Sequence, residues 1–223
     1  MAQCRKCNKK GLFLSLSSCG LCRDCQALVD LEVQQRVRVI KSSADVADRS
    51  KKLETRLSRL SVMREHLEAL LEYERMDIPT TTPPPSSLLA KLRDDRDRIV
   101  VEGVREKVDS ALAKAEVAAT ARTAITQASK GLLAVTEGEK ELDDPSQLCP
   151  LREKVQEFIH KTTLDSHLEA ARKAEFKGQE KKALDAYQEA LYFLRTDAID
   201  DSQQAEEIAG LEEKIRKLQD QLG

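Results

Sequence analysis

The sequence predicts a mostly α-helical protein that begins with a small cysteine-rich module and continues as helical hairpins. Of the 223 residues, 34% are charged and only 3% are aromatic, with no tryptophan, which is typical of packed helices. Five of the six cysteines lie within residues 4–25. Apolar residues recur at helical spacing over most of the remaining chain. These observations argue against a strand-rich fold and against a large aromatic-lined pocket.

Charge and hydropathy narrow the classes of partner. The 37 Lys and Arg residues nearly balance the 39 Asp and Glu residues, so the bulk charge does not indicate a polyanion-binding protein. Residues 1–25 nevertheless carry five basic residues against one acidic residue, and residues 197–223 carry eight acidic against three basic. This asymmetry favours partner contacts at the two ends. No apolar run approaches the roughly 20 residues that span a bilayer, and no secretion signal is present, so we expect a cytoplasmic protein without a membrane partner.

The first element, residues 1–25, contains two CxxC pairs, Cys4–Cys7 and Cys22–Cys25, separated by fourteen residues. Each CxxC turn lets two thiolates reach one ion, and two such turns complete a tetrahedron around Zn²⁺. A module of this length buries too little apolar area to fold alone, so the metal would supply the missing stability. Because four sulfur ligands leave no position for a substrate water, the sequence predicts a structural zinc ribbon with these cysteines as ligands.

Other uses of these cysteines remain alternatives. Reduced thiols are expected in the absence of a secretion signal, so the paired CxxC spacing favours a metal over a disulfide framework or a redox site. Iron–sulfur ligation is a further alternative. Cys19 also forms a CxxC with Cys22 and would then replace a ligand of the second pair. Leu12, Leu14 and Leu16 alternate with other residues, which predicts a short strand over residues 12–16.

Residues 26–78 predict a helical hairpin or a coiled coil. Five leucines recur there at coiled-coil spacing over about three heptads: Leu53, Leu57, Leu60, Leu67 and Leu71. Ser42–Ser43 marks a break, so an antiparallel hairpin of residues 26–41 and 44–77 is the preferred interpretation, and a homodimeric coiled coil is the alternative. Residues 79–87 are rich in proline, which cannot continue a helix, and they predict a stiff linker.

Residues 88–223 predict a helical, repeat-like domain. Residues 168–195 resemble a tetratricopeptide repeat, with small residues where two helices would approach, Gly178 in the turn and Tyr187 between the helices. The tryptophan and the terminal proline of that motif are missing, and a single repeat cannot form a solenoid because each unit needs neighbours. Residues 202–222 predict a final amphipathic helix.

A resemblance to a protein family rests on three segments: KCNKKGLFLSL…GLCRDC, SRLSVMREHLEALLEYERMDIPT and AEFKGQEKKALDAYQEALYFL. They are similar to segments of small bacterial and prophage-associated proteins that carry an N-terminal zinc ribbon and a helical, tetratricopeptide-like C-terminus. The resemblance covers nearly all of the chain. It implies metal ligation at the four paired cysteines and an association with phage, and it implies no substrate or mechanism.

The sequence contains no motif for catalysis. It lacks a P-loop, GxGxxG, GxSxG and HExxH, and the three histidines lie in predicted helices without a cysteine or paired carboxylates at catalytic spacing. We therefore expect a non-catalytic adaptor that binds a protein partner through its helical repeat-like region. The candidate partner contacts are the aromatic residues of that region: Phe176, Tyr187, Tyr192 and Phe193.

Nucleic-acid binding by the N-terminal module is the alternative function. Its basic residues could contact phosphates, and such contacts are sensitive to salt. Phe13 could stack on a base. The same positive charge would also compensate the negative charge of a four-thiolate zinc site, so it is not specific to nucleic acid. The candidate contacts are Arg5, Lys6, Lys9, Lys10 and Arg23.

Overall fold

The computed structural model describes residues 2–197 and 199–222. It is 78% helical, which confirms the mostly α class. The described residues contain two short strands and seven α-helices: β1 (Ala2–Gln3), β2 (Lys10–Gly11), α1 (Arg23–Arg49), α2 (Leu53–Arg75), α3 (Pro85–Glu116), α4 (Ala121–Glu139), α5 (Cys149–Phe176), α6 (Glu180–Thr196) and α7 (Ala205–Leu222). No helix in these two ranges is long and apolar enough to cross a bilayer.

The chain forms two compact units. The first unit runs to Gly103 and includes Glu141–Asp143, and the second unit contains Val104–Lys140 and the chain from Asp144 onward. Helix α3 begins inside the proline-rich segment, so residues 85–87 are helical rather than linker, and Pro85 at the first position of that helix is fully buried. The division between domains predicted at residues 79–87 stays a prediction, and residues on both sides of that segment belong to the first unit.

Helices α1 and α2 form an antiparallel hairpin within one chain. Glu32 contacts Tyr73, and four residues later Arg36 contacts His66, so the two helices run in opposite directions. The break predicted at Ser42–Ser43 is absent, because serine costs only a few tenths of a kcal/mol in a helix and the small side chain of Ser43 is buried at 2% exposure. A homodimeric form stays a prediction.

The core of the hairpin differs in part from the predicted heptad positions. Leu60 and Leu67 are buried as predicted, and the first half of α3 packs against them through Leu92 and Ile99. Toward the end of α2, Leu70 and Tyr73 are buried, whereas Leu71 is only partly buried. The inward positions therefore shift along α2, as expected where a helix contacts two different elements in turn.

In the second unit, α5 and α6 form the helical hairpin predicted within residues 168–195. Gly178 forms the turn with a φ of +66°, a left-handed conformation that favours glycine. Small side chains, Ala171, Ala183 and Ala190, are fully buried between the helices together with Tyr187. Helix α7 closes this core with three buried residues: Leu211, Ile215 and Leu218. The likeness to a tetratricopeptide repeat stays a prediction.

Candidate metal centre

The first CxxC pair lies on a tight turn between β1 and β2. The strands are antiparallel, with Ala2 opposite Gly11, and below them the Cys4 amide donates to the Lys9 carbonyl at 3.0 Å. The Asn8 amide donates to the Cys4 carbonyl at 2.9 Å, and Asn8 adopts a φ of +58°, which asparagine tolerates better than most residues. This turn directs both sulfurs of the pair toward the second CxxC.

The second pair lies at the beginning of α1. Cys22 is the N-cap residue, and Cys25 is in the first helical turn. A turn closed by the hydrogen bond from the Gly20 amide to the Ser17 carbonyl leads the chain into the helix. The unpaired amides of a helix N-terminus carry partial positive charge, which favours thiolates over thiols. The second pair is therefore held by the first turn of a long helix.

The structure brings the four paired cysteines together. Their Sγ atoms all lie within 4.8 Å of one another, and the Sγ atoms of Cys7 and Cys22 are 3.8 Å apart. Tetrahedral zinc with Zn–S bonds of about 2.3 Å requires sulfurs about 3.8 Å apart, so this spacing fits the ion. Cys4, Cys22 and Cys25 are buried and Cys7 is exposed, and none of the four is in a disulfide. This group can hold a metal ion.

The protonation of the four thiols reflects their crowding. Hydrogen bonds from the backbone, those at Cys7 and Cys22 above all, lower the pKa of Cys4 to about 6. Hydrogen bonding with Cys22, together with burial, raises the pKa of Cys25 to about 12. Four thiolates this close repel one another, so without a cation some protons remain on sulfur. A divalent cation would displace those protons and remove the repulsion.

Two further predictions for this region concern Cys19 and a strand over residues 12–16. Cys19, the alternative ligand, lies outside the group of four, and its Sγ faces the Ser18 hydroxyl at 3.9 Å. The strand predicted over residues 12–16 is wrong. β2 ends at Gly11, residues 12 and 13 form a turn, and Leu16 makes only an isolated bridge with Cys22. Leu12 and Phe13 are 80% and 100% exposed, so the alternating leucines do not form the buried face of a strand.

A polar cluster beside the cysteines was not predicted from the sequence. Lys6 Nζ donates to the Tyr73 hydroxyl at 2.9 Å, and that hydroxyl donates to Glu32. The hydrogen bond from Tyr73 and the neighbouring Arg36 guanidinium lower the pKa of Glu32 below its usual value. No local pattern indicates this cluster, because its members come from the CxxC turn, α1 and α2.

The five basic residues predicted to contact nucleic acid fall into two groups. Arg5 donates to the Met76 carbonyl at 3.0 Å, and Lys6 contacts Tyr73, so both point toward the hairpin. Lys9, Lys10 and Arg23 are exposed on the module. The Arg5 side chain is also 48% exposed, but its guanidinium is held by the Met76 carbonyl.

The four aromatic residues predicted to contact a partner also divide. Tyr187 is fully buried and fills the space between two helices, as the repeat-like pattern predicted, so its additional assignment as a partner contact is corrected. Phe193 is partly buried beside His160 and His167, with ring centres 5.1 and 6.1 Å away. Phe176 and Tyr192 are 93% and 70% exposed. The sequence predicted the position of Tyr187, but it did not distinguish the exposed Phe176 and Tyr192 from the partly buried Phe193.

No protein-family model, no curated protein and no solved structure matches this chain. The similarity to bacterial and prophage-associated zinc-ribbon proteins stays a prediction.

Proposed function

We propose that Cys4, Cys7, Cys22 and Cys25 bind one structural Zn²⁺ ion, and that the chain is a non-catalytic adaptor that binds a protein partner. The observation that carries the first part is the group of four Sγ atoms within 4.8 Å. Thiolates are the ligands that zinc prefers in structural sites, and four of them leave no open position for a substrate. The bound ion would fix the two CxxC turns, and a reducing cytoplasm would keep the thiols available.

Metal analysis of the purified full-length protein tests the zinc site. We expect one zinc per chain in the wild type and less than half of that in Cys4→Ser, Cys7→Ser, Cys22→Ser and Cys25→Ser. Cys19→Ser is the matched control and should retain one zinc per chain, because its Sγ lies outside the group. Iron at stoichiometric amount, or loss of the metal in Cys19→Ser alone, would contradict the assignment.

The adaptor function is supported by two exposed aromatic side chains on the α5–α6 hairpin, Phe176 and Tyr192. Aromatic residues are enriched in protein interfaces, since they bury a large area at a low cost in side-chain entropy. Helical hairpins also offer grooves and flat faces to partner helices or peptides. We therefore assign partner binding to the second unit and to these two residues within it.

A tagged pull-down from native-like cells, with and without nuclease, tests the adaptor function. A stoichiometric protein partner that survives nuclease treatment and is lost with the double substitution Phe176→Ala and Tyr192→Ala would support it. Val117→Ala is the control, because Val117 is also exposed, at 84%, but lies outside the α5–α6 hairpin. The adaptor function is excluded when crosslinking at native expression captures no protein partner.

A second candidate is nucleic-acid binding by the cysteine module (residues 2–25). It is favoured by one specific observation: Phe13 is fully exposed on the same module as the exposed Lys9, Lys10 and Arg23. Basic groups around an exposed aromatic ring are typical of surfaces that bind single strands by phosphate contact and base stacking.

Fluorescence anisotropy with labelled single- and double-stranded DNA and RNA separates the two candidates. Binding that falls steeply with salt and is lost in Lys9→Glu with Lys10→Glu would support the second. Lys51→Glu with Lys52→Glu is the matched control, since these are also consecutive exposed lysines but lie between α1 and α2. No binding at low salt would exclude it.

A further inference from the structure

The two residues inside the first CxxC turn both contact the end of α2. Lys6 Nζ lies 2.9 Å from the Tyr73 hydroxyl and 5.0 Å from the centre of its ring. Arg5 Nη1 lies 3.0 Å from the Met76 carbonyl and 3.8 Å from the Asp77 carboxylate. The turn is thus attached to the hairpin by the same residues that separate its two cysteines.

Gly20 makes the path of Arg5 possible. Its φ is +74°, and a Cβ at this position would lie 3.0 Å from Cδ and Nε of Arg5. The Arg5 amide also donates to the Gly20 carbonyl at 3.0 Å. Gly20, which precedes the second CxxC pair, therefore packs against the first CxxC turn. The two cysteine pairs and the end of α2 thus lie close together.

The contacts continue from α2 into α1. Tyr73 donates to Glu32, whose carboxylate also accepts from Arg36 at 2.9 and 3.0 Å. Lys6 Nζ lies 4.0 Å from the same carboxylate. Arg36 Nη1 in turn lies 3.4 Å from Nδ1 of His66 on α2. Polar contacts thus run without interruption from the CxxC turn across both helices of the hairpin.

The apolar packing follows the same path. Three of the ligand cysteines, Cys4, Cys22 and Cys25, belong to one buried cluster with Leu70 and the residues around it. The other buried members of that cluster are Leu21, Val29, Tyr73 and Ile78. The metal site is therefore part of the core at this end of the hairpin.

We propose that metal binding at the four cysteines and closure of this end of the α1–α2 hairpin are one coupled transition, with Lys6, Tyr73 and Glu32 as positioning residues. The proposal rests on the zinc site proposed above. When the ion leaves, the CxxC turns lose their constraint, Lys6 separates from Tyr73, and the apolar surface around Leu70 opens to solvent. Loss of the metal would thereby expose the apolar end of the hairpin.

Thermodynamic linkage gives this proposal a quantitative consequence. Because the metal-free hairpin end is open in this proposal, a substitution that weakens closure weakens metal binding by the same factor. Tyr73 is not a metal ligand, yet its hydroxyl joins a lysine and a glutamate, and hydrogen bonds to charged groups are the stronger ones. We expect removal of that hydroxyl to lower the affinity for Zn²⁺ about tenfold.

The chain contains a matched control for this test. Tyr187 is buried between α5 and α6, its hydroxyl donates to Glu175 at 2.7 Å, and Lys214 Nζ lies 3.2 Å from that hydroxyl. The Lys214 ammonium is 5.0 Å from the ring centre, as in the Lys6–Tyr73 pair. Tyr187→Phe removes the same group from the same chemical surroundings in the second unit, where we expect no effect on metal binding.

The experiment uses the full-length protein and two readouts. Competition with a chelator gives the Zn²⁺ affinity, and hydrogen exchange with and without Zn²⁺ gives the protection of residues 23–33 and 68–78. Tyr73→Phe should bind one zinc about tenfold more weakly and lose part of the metal-dependent protection. Tyr187→Phe should match the wild type in both. Lys6→Met against Lys214→Met is a second pair, in which Lys6 is partly exposed and Lys214 is exposed, so neither substitution removes a buried side chain.

The outcomes separate the two proposals. Wild-type protein that binds no metal overturns both the zinc site and the coupling. Wild-type protein that binds metal while Tyr73→Phe and Lys6→Met keep wild-type affinity and protection overturns the coupling and leaves the zinc site standing. An equal loss of Zn²⁺ affinity in Tyr187→Phe also overturns the coupling, because the effect would then not be specific to the hairpin end.

Discussion

Two regions of the molecule use the same three side-chain types in the same arrangement. In each, a tyrosine lies between two helices, donates its hydroxyl hydrogen to a glutamate and has a lysine over its ring. Tyr73 in the first unit and Tyr187 in the second are the central residues. The difference lies in the origin of the lysine, because Lys6 belongs to an irregular CxxC turn and Lys214 to helix α7.

With the ion that we propose at the four cysteines, one of these polar clusters would depend on a bound metal and the other would not. Helix α7 is held against the second unit by three buried apolar residues, so Lys214 is positioned by ordinary packing. The first CxxC turn contains no helix and has little apolar surface of its own. The position of Lys6 therefore depends on how firmly the neighbouring cysteines are held. The chemistry around the two tyrosines is alike, and the stability of the two regions is expected to respond differently to metal.

Removal of zinc by a chelator should have the largest effect and should be confined to one region. Structural zinc sites in small modules contribute on the order of 10 kcal/mol, so we expect residues 2–33 and 66–78 to lose most of their hydrogen-exchange protection. Residues of α5, α6 and α7 should retain theirs. Addition of zinc should restore the protection, and an equal loss in α5–α7 would contradict the contrast between the regions.

Truncation of one buried leucine in each region should have the next largest effect. Leu70 and Leu194 are both fully buried, so Leu70→Ala and Leu194→Ala should each lower the free energy of unfolding by about 2–5 kcal/mol. Denaturant unfolding followed by circular dichroism measures this loss. Only Leu70→Ala should also weaken zinc binding, because Leu70 packs with the ligand cysteines. A weaker zinc affinity in Leu194→Ala would remove the contrast.

The titration of Tyr187 gives a smaller, pH-dependent effect. Burial and the Glu175 carboxylate raise the pKa of Tyr187 to about 12, whereas tyrosine in the unfolded chain ionises near about 10. The stability that the neutral Tyr187 hydroxyl contributes is therefore fully present below about pH 10 and is lost as the pH rises toward 12. Between pH 9 and 11 the wild type should lose about 1 kcal/mol more stability than Tyr187→Phe in urea unfolding. Parallel curves for the two proteins would show that the hydroxyl is not held in its neutral form.

The smallest effect is expected from one exposed aromatic residue in each region. Phe13 and Phe176 are 100% and 93% exposed, so Phe13→Ser and Phe176→Ser should change the free energy of unfolding by less than about 0.5 kcal/mol. Neither should change the zinc content. Thermal unfolding and metal analysis measure both quantities. A loss above about 1 kcal/mol in either variant would mean that the ring packs against protein rather than facing solvent.

The parts of the fold that depend on local pattern were predictable from the sequence. The helical spacing of apolar residues predicts the class, and the Gly178 turn and final helix lie close to their predicted positions. The break at Ser42–Ser43 and the strand over residues 12–16 were wrong. The first error came from a weak local preference that packing of the hairpin overrode, and the second from an alternation of leucines in which Leu12 stays exposed.

The candidate site was predictable in its ligand set and not in its surroundings. Two CxxC pairs constrain four sulfurs within a few residues of chain each, so spacing alone indicates Cys4, Cys7, Cys22 and Cys25. Cys19–Cys22 has the same spacing as Cys22–Cys25, so Cys19 stayed an alternative until the structure placed its Sγ outside the group of four. The exposure of Phe176 and the partial burial of Phe193 likewise depend on which helix face meets the core.

The sequence by itself thus determined the helical class, the four clustered cysteines and the helical hairpin around Gly178, because each depends on residues close together in the chain. Only the tertiary structure decided that Lys6 contacts Tyr73 and that Tyr73 contacts Glu32. These residues lie 67 and 41 positions apart, so no periodicity or motif relates them. They meet because α2 returns antiparallel along α1 and brings its end back to the cysteine module, which is a property of packing rather than of local sequence.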